Sequence, residues 1–424
     1  MFFKIQVILN LFRLQRKRKK YILDADRLQK KNWKNLLLIL KKSPFYSKLL
    51  DEKTPFEKFP IMNKSVFMEN FNTINTHKIT LDEAFNLAIE AERLRDFTPM
   101  IGKVTVGLSS GTSGNRGVFL ATEIERAQWV ACILDRVIGF SLKKRNVAFF
   151  LRANSNLYDS VKSKVLSFHF FDLLFSIDQH IKRLNLIQVD ILVAQASMLI
   201  QLAKKVESGE LKINPKKIIS VAEVLYPEDK KYLEKVFGQL IHQVYQCTEG
   251  LLASTCEKGT LHFHEDYLII EKKFLDDSKT RFHPIITDTM RSSQPIVRYE
   301  LNDIIHEKKK CTCGLKTLAI EQIEGRSDDV ITFQNIKNFK IAIFPDFFSR
   351  AIIFSDSSIQ EYALINRKNG QIDLYVNGSD AAYFSAKRSI EELLKKFEVE
   401  EYVINRILSD QLIVGNKLRR IRNE

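Results

Sequence analysis

Apolar residues recur at helical spacing through the first hundred residues of the chain. Trp33, Leu36 and Leu40 follow one helical face, and Ser43-Pro44 interrupts the pattern just beyond it. A second break follows at Phe59-Pro60. The pattern therefore predicts a mostly helical lead-in over residues 1–100.

From residue 104 onward, short apolar runs alternate with amphipathic segments. Pro227 stands where the first turn of a helix is expected, a position at which its missing N–H costs nothing. Such alternation of strands and helices predicts a layered α/β core over residues 101–265. The predicted strands cover residues 104–108, 146–151, 165–175, 190–194, 217–222 and 241–245, and the predicted helices cover 123–137, 195–205 and 227–237.

After Glu265 the pattern changes to short strand pairs, at residues 267–271, 284–288 and 296–299. This predicts a strand-rich subdomain over residues 266–326, which completes an N-terminal domain of residues 1–326. Short strands and one helix (385–397) follow. Residues 329–424 are enough for a small, separate α+β domain at the C-terminus.

Charge and length limit the classes of function. The 424 residues include 66 basic and 51 acidic side chains, a net charge of +15 that is spread along the chain. We therefore expect no nucleic-acid partner. No apolar stretch reaches the ~18 residues of a membrane span. Residues 1–21 are first apolar and then basic, which favours a helix packed on the body, with weak peripheral membrane contact as the alternative.

The cysteines predict a compartment and a metal site. Their odd number, five, and the lack of a secretory signal pattern indicate a reducing cytoplasm. Three thiols and an imidazole, the ligands of a closed zinc site, cluster in the sequence: Cys256, His262, Cys311 and Cys313. Free thiols are the alternative to zinc, and His264 is an alternative ligand.

A loop rich in glycine and hydroxyl residues lies between the strand predicted at 104–108 and the helix predicted at 123–137. Glycines let the backbone approach a ligand closely, and consecutive N–H groups then form a concavity that binds anions. The Gly-Lys-Ser/Thr ending of a Walker loop is absent. A phosphate-binding loop and an ordinary flexible loop are both compatible with this composition: Ser109, Ser110, Gly111, Thr112, Ser113 and Gly114.

Five motifs in order resemble those of the adenylate-forming enzymes, and most closely the phenylacetate–coenzyme A ligase branch. That family has a glycine-rich phosphate signature, a Tyr-x-x-Thr-Glu motif, a Pro-x-x-Arg-Tyr…Asp segment, a Gly-Arg-x-Asp-Asp hinge and a terminal lysine. The similar segments here are 109–117, 245–250, 295–303, 325–329 and 415–420. This sequence has Arg116 where many members have lysine, and Asn302 where the typical turn has glycine.

The resemblance implies roles for particular residues. Thr248 would face the α-phosphate of ATP, Glu249 would bind Mg²⁺, and Lys417 would bring a mobile cation to the reacting groups. The loop would hold the outer phosphates. The rest of the nucleotide would contact Glu223, Tyr245, Asp303 and Arg326.

The function implied is ATP-dependent activation of a carboxylic acid to an acyl-adenylate with release of pyrophosphate. Transfer to coenzyme A, as in an acid–thiol ligase, is the expected second step, with a carrier-protein thiol as another acceptor. The C-terminal domain would act as a lid that rotates about Asp328. The alternative is a non-catalytic or decayed ATP-binding module that acts at a membrane surface or with anionic polymers.

Overall fold

We describe the protein from a computed structural model. The residues that the structure describes are 2–50, 54–94, 96, 98–109, 117–141, 143–151, 165–173, 175–326, 329–334, 336, 340–356, 358–359, 361–367, 370–408 and 420–423. Their packing separates two units, one within Met1–Leu301 and His306–Gln322, the other within Asn302–Ile305 and Ile323–Glu424.

Six helices form the start of the first unit in the described residues. Polar side chains cap four of them. For example, the Asp24 carboxylate accepts from the Arg27 N–H, and the Ser43 hydroxyl accepts from the Tyr46 N–H. No helix in the described part of the chain is both long and apolar enough to span a membrane. The helices are α1 (Phe2–Leu23), α2 (Ala25–Leu40), α3 (Pro44–Ser47), α4 (Lys64–Glu69), α5 (Phe71–Ile74) and α6 (Leu81–Leu94).

A three-stranded antiparallel sheet follows, formed by β1 (Met100–Ile101), β2 (Val104–Leu108) and β3 (Val118–Thr122). The glycine-rich loop therefore joins two paired strands, which corrects the predicted strand–loop–helix context. Helix α7 (Glu123–Cys132) starts directly after β3 and continues as a π-helical turn, Ile133–Val137. Thr122 and Glu125 form a reciprocal capping box at its start.

The α/β core has parallel strands in the order β5-β4-β6-β7-β8. Every side chain of β6 is buried, as expected for a parallel strand covered on both faces. The strands are β4 (Arg145–Leu151), β5 (Leu166–Asp172), β6 (Ile191–Ala194), β7 (Lys217–Ser220) and β8 (Ile241–Cys247), and the helices between them are α8 (Ile177–Leu184), α9 (Ala196–Glu207) and α10 (Pro227–Phe237).

The same sheet continues beyond β8 in the strand order β11-β12-β14-β15-β10-β9-β8, and β13 pairs with β12. The β8–β9, β9–β10, β10–β15 and β11–β12 pairs are antiparallel. The strands are β9 (Gly250–Thr255), β10 (Leu261–Phe263), β11 (Leu268–Phe274), β12 (Arg281–Asp288), β13 (Ile296–Glu300), β14 (Asp303–Lys308) and β15 (Ala319–Arg326).

The second unit has its own core, in which Phe348, Leu364 and Ile390 are fully buried. Its four-stranded sheet has the order β20-β19-β18-β21, and β16 pairs with β17. The predicted fold class, a large α/β region followed by a small α+β region, is confirmed. The elements are β16 (Ile331–Gln334), β17 (Lys340–Ile343), α11 (Pro345–Ile353), β18 (Glu361–Asn366), β19 (Gln371–Asn377), α12 (Asp380–Lys396), β20 (Val403–Arg406) and β21 (Ile421–Asn423).

Candidate active site

The two ends of the glycine-rich loop are tied together. The Ser109 N–H donates to the Gly117 carbonyl, and the Gly117 N–H donates to the Ser109 hydroxyl, each at 2.7 Å. The Lys64 ammonium reaches the same hydroxyl at 3.5 Å, a cation beside the loop that the sequence pattern did not reveal. The other predicted loop residues, Ser110, Gly111, Thr112, Ser113 and Gly114, lie outside the described residues, as does Arg116.

The turn between β8 and β9 carries the predicted Thr-Glu pair. The Thr248 hydroxyl donates to the Glu249 carboxylate at 2.9 Å, and both side chains are partly exposed. Tyr245, earlier on β8, is buried, with its ring edge-on to Phe263. The turn thus presents a hydroxyl and a carboxylate side by side, while Tyr245 contributes to the core beneath it.

Arg291 holds this turn against the strand that follows the glycine-rich loop. Its guanidinium donates to the main-chain carbonyls of Thr248 at 3.0 Å, Glu249 at 3.4 Å and Leu120 at 3.3 Å. Leu120 belongs to β3, so one side chain bridges the β8–β9 turn and the glycine-loop hairpin. No sequence pattern predicts this bridge, since the bonded residues are 42 to 171 positions apart.

Glu125 anchors the segment that carries Arg291. Its carboxylate accepts from the Ser292 and Ser293 N–H groups at 2.6 and 2.9 Å, and from the Thr122 N–H at 2.7 Å. Burial alone would raise the pKa of Glu125, but Arg291 and these N–H groups lower it below its usual value. The carboxylate therefore stays ionised, and it fixes the loop relative to α7.

Asp288 lies beneath the same turn. A Cβ added at Gly250 would approach one Asp288 carboxyl oxygen to 3.3 Å, and the other oxygen accepts from the Met290 N–H at 2.8 Å. Burial raises the pKa of Asp288 to about 6, against the opposing influence of Arg291. A second, buried carboxyl group thus lies beside Gly250, at the end of the Glu249 turn.

The remaining nucleotide-site residues fall into two places. Glu223 accepts from the Ser197 N–H at 3.0 Å, in the first turn of α9, and its adenine contact stays a prediction. Asp303 and Arg326 approach each other to 3.9 Å within the second unit, so the predicted ribose pair is brought together. Lys417 and the predicted hinge residue Asp328 lie outside the described residues.

The predicted metal ligands converge. One ligand atom from each of Cys256, His262, Cys311 and Cys313 lies within 4.8 Å of the others. The Cys256 and Cys311 sulfurs are 3.8 Å apart, and the Cys313 sulfur is 3.4 Å from His262 Nε2. Burial would raise the pKa of Cys311, but hydrogen bonds from His262 and the Cys313 backbone lower it to about 6.

Neighbouring groups orient these ligands. His262 Nδ1 lies 3.1 Å from the Thr317 carbonyl, which leaves Nε2 directed at the thiols. The Leu315 N–H donates to the Cys313 sulfur at 3.4 Å. His264, the alternative ligand, is buried elsewhere, with Ser254 on one ring nitrogen and Tyr267 on the other. The four-residue set has the donors of a tetrahedral zinc site.

Comparisons with known proteins identify solved structures that have a similar fold. No family model and no curated protein matches the sequence. Among solved structures, a 2-hydroxyisobutyryl-CoA ligase in its postadenylation state matches with a TM-score of 0.64 and 13% identity, over 98% of this chain and 89% of that one. ATP-bound MatB from Rhodopseudomonas palustris matches at 0.51 and 13%, over 71% and 63%.

A third likeness is to the amide bond synthetase McbA from Marinactinospora thermotolerans, with a TM-score of 0.51 and 10% identity, over 72% of this chain and 65% of that one. These likenesses show that the chain has the fold of the adenylate-forming ligases, as the motif series predicted. The assignment to the phenylacetate–coenzyme A ligase branch stays a prediction.

Proposed function

We propose that this protein activates a carboxylic acid with ATP to give an enzyme-bound acyl-adenylate. The observation that carries the proposal is the placement of the Thr248–Glu249 turn, which Arg291 ties to the hairpin of the glycine-rich loop. One side chain thereby joins Thr248 to Leu120, 128 residues earlier in the sequence, on an adenylate-forming fold.

The reaction gives each residue a role. A substrate carboxylate oxygen attacks the α-phosphorus, the bond from that phosphorus to the β-bridging oxygen breaks, and pyrophosphate leaves. Glu249 would hold Mg²⁺, a hard cation that neutralises phosphate charge, and the glycine-rich loop would hold the leaving phosphates. Thr248 would contact the α-phosphate, while Asp303 and Arg326 would bind the ribose. Lys417 would bring its ammonium group to the α-phosphate.

Coenzyme A is the proposed acceptor. Its thiol sulfur would attack the acyl carbon of the adenylate, the bond to the phosphate oxygen would break, and AMP and the thiol proton would leave. The 2-hydroxyisobutyryl-CoA ligase has been solved with an acyl-adenylate and coenzyme A, at a TM-score of 0.52 to this chain. The amide bond synthetase has a similar fold, so amines belong in any panel of acceptors.

We also propose that Cys256, His262, Cys311 and Cys313 hold a structural zinc ion. Three sulfurs and one nitrogen would complete a closed tetrahedral site, which leaves no position for a reacting ligand. The site connects the β9–β10 turn to the segment before β15, and it would contribute stability rather than take part in acid activation.

The experiment that tests the proposed activity is carboxylate-dependent exchange of labelled pyrophosphate into ATP, with a panel of aliphatic and aromatic acids. We expect exchange with at least one acid, and a loss of about a hundredfold or more in Glu249→Gln. Glu69→Gln, an exposed carboxylate on α4, is the matched control and should retain full exchange. If no acid supports exchange, the result favours the alternative of a non-catalytic or decayed ATP-binding module.

A further inference from the structure

Helix α1 is apolar on two opposite faces. The inward face packs against α7 and buries Val7, Leu11 and Leu14. The basic end of the helix also contacts the first unit, because Arg18 forms an ion pair with Asp135 at 3.3 Å. These contacts attach α1 to the first unit, so its other face is presented on a fixed surface.

The outward face carries a continuous apolar stripe. Its five residues follow the spacing of one helical face and extend over about 15 Å of the axis. Side chains of this size are rarely left so exposed in a contiguous row. We call them the α1 stripe: Phe2 (62% exposed), Ile5 (45%), Ile8 (50%), Leu9 (44%) and Phe12 (56%).

Lysine and arginine side chains lie beside the α1 stripe and beyond its end, on the same side of the helix. Arg16, Lys19 and Lys20 follow it on the same side of the helix, and all three are exposed. Lys4 and Arg13 are exposed at its two flanks. Residues 2–23 contain seven lysines and arginines and no aspartate or glutamate. The exposed face of this helix thus combines apolar side chains with positive charge.

We propose that α1 docks the protein on an anionic lipid bilayer, with the α1 stripe inserted at the level of the headgroups. Flanking lysines and arginines bind acidic headgroups while their aliphatic stems follow the apolar surface. A second copy of the chain would bring the same five exposed cations to the interface, with no carboxylate on the helix to meet them. A nucleic acid would satisfy the charges and leave the apolar stripe in water. An anionic bilayer satisfies both features.

The test is co-sedimentation of the full chain with vesicles of phosphatidylcholine, alone or with about 30% phosphatidylserine. We expect binding to the anionic vesicles that weakens as salt is added, and little binding to the neutral ones. Removing three cations, in Arg16→Gln/Lys19→Gln/Lys20→Gln, should reduce the affinity about a hundredfold. The stripe variant Ile5→Ser/Leu9→Ser/Phe12→Ser should reduce it at least tenfold.

The matched control is Leu186→Ser/Phe354→Ser/Phe384→Ser. These three apolar residues outside α1 are more exposed than those of the stripe variant, and their replacement should leave binding like that of the wild type. Circular dichroism and the thermal midpoint check that each variant is folded. Equal binding by the stripe variant and the wild type, or no vesicle binding at all, overturns the proposal. A dimer that the stripe variant dissociates, without vesicle binding, assigns the surface to a second copy. RNA binding that only the charge variant loses assigns it to nucleic acid.

Discussion

At the scale of single residues, the candidate site combines two carboxyl groups with opposite surroundings. Glu125 is buried but receives main-chain N–H groups and faces Arg291, so its pKa is lowered. Asp288 is buried with one N–H donor and with the Glu125 charge nearby, and its pKa is raised to about 6. Near neutral pH, both groups are charged, and the folded state bears the cost of the Asp288 charge.

Asp288→Asn should stabilise the protein fully at pH 8 and only about a third as much at pH 4.5. The folded pKa of Asp288 lies above its ordinary value of 3.8, so its contribution is favourable below that value and is lost as the pH rises through about 6. That difference corresponds to an upper limit of about 3 kcal/mol. Asparagine keeps the carbonyl oxygen that accepts from Met290. The measurement is the thermal midpoint against pH.

The control for this prediction is Asp277→Asn, an exposed aspartate between β11 and β12, which should leave the midpoint unchanged across the pH range. A gain in stability of Asp288→Asn that is the same at pH 4.5 and pH 8 would refute the assigned cause, since a pH-independent effect does not come from ionisation.

Residue identity pointed to the Thr248–Glu249 pair, which belongs to a local motif, and to the cysteine cluster, since thiols and imidazole are the usual ligands of zinc. It did not predict Lys64, Arg291 or Asp288. Arginine, lysine and aspartate are common surface residues, and only the fold of the chain brings these three to the site. Lys64, for example, precedes Ser109 by 45 positions, and Arg291 follows Leu120 by 171.

At the scale of elements, the sequence predicted the bounds of helices and strands well where residues typical of helix ends or turns mark them. Helix α10 was predicted at residues 227–237 and has those bounds, since Pro227 begins it and Gly238 ends it in the left-handed region at φ 63°. Strand β3 was missed. Its five residues lead directly into α7, whose capping residue Thr122 is also the last residue of the strand. No glycine or proline separates the strand from the helix, so the sequence pattern did not show where one ends and the other begins.

The metal cluster makes a prediction at this scale, because it links the β9–β10 turn to the segment before β15. We expect the purified protein to contain about one zinc ion per chain by elemental analysis. Cys311→Ser/Cys313→Ser should contain none and should unfold at a lower temperature. A chelator should lower the thermal midpoint of the wild type to that of the variant.

Cys247→Ser is the control for the zinc prediction, since Cys247 contacts the Gly250 carbonyl and lies outside the cluster. It should retain full zinc content. Protein purified with zinc present that contains no metal, and that a chelator leaves unchanged in stability, would show that the four side chains are free thiols and a hydrogen-bonded histidine.

At the scale of the whole molecule, the two units differ in what the sequence revealed. The first unit combines a parallel core with antiparallel extensions, and the strand–helix alternation was enough to predict the layered part. The second unit has a separate apolar core around Phe348 and Leu364, which the restart of short strands predicted. Its movement relative to the first unit stays a prediction. Such movement requires two stable conformations, and a pattern of apolar positions predicts a single packed core.

Lys417→Ala should abolish pyrophosphate exchange and spare the second half-reaction. If the second unit rotates about Asp328, the ammonium group of Lys417 approaches the α-phosphate only for adenylate formation, where it offsets developing negative charge. Loss of that charge should lower the exchange rate by about a hundredfold or more. Thioester formation from supplied acyl-adenylate and coenzyme A should continue at close to the wild-type rate.

Arg419→Ala removes one cation from the same basic tail and serves as the matched control, with little expected change in either half-reaction. The ratio of the two rates carries the argument, because a folding defect would lower both together. Equal losses in adenylate formation and thioester formation in Lys417→Ala would rule out a role confined to one conformation. Unchanged exchange would show that Lys417 is an ordinary solvated residue of the tail.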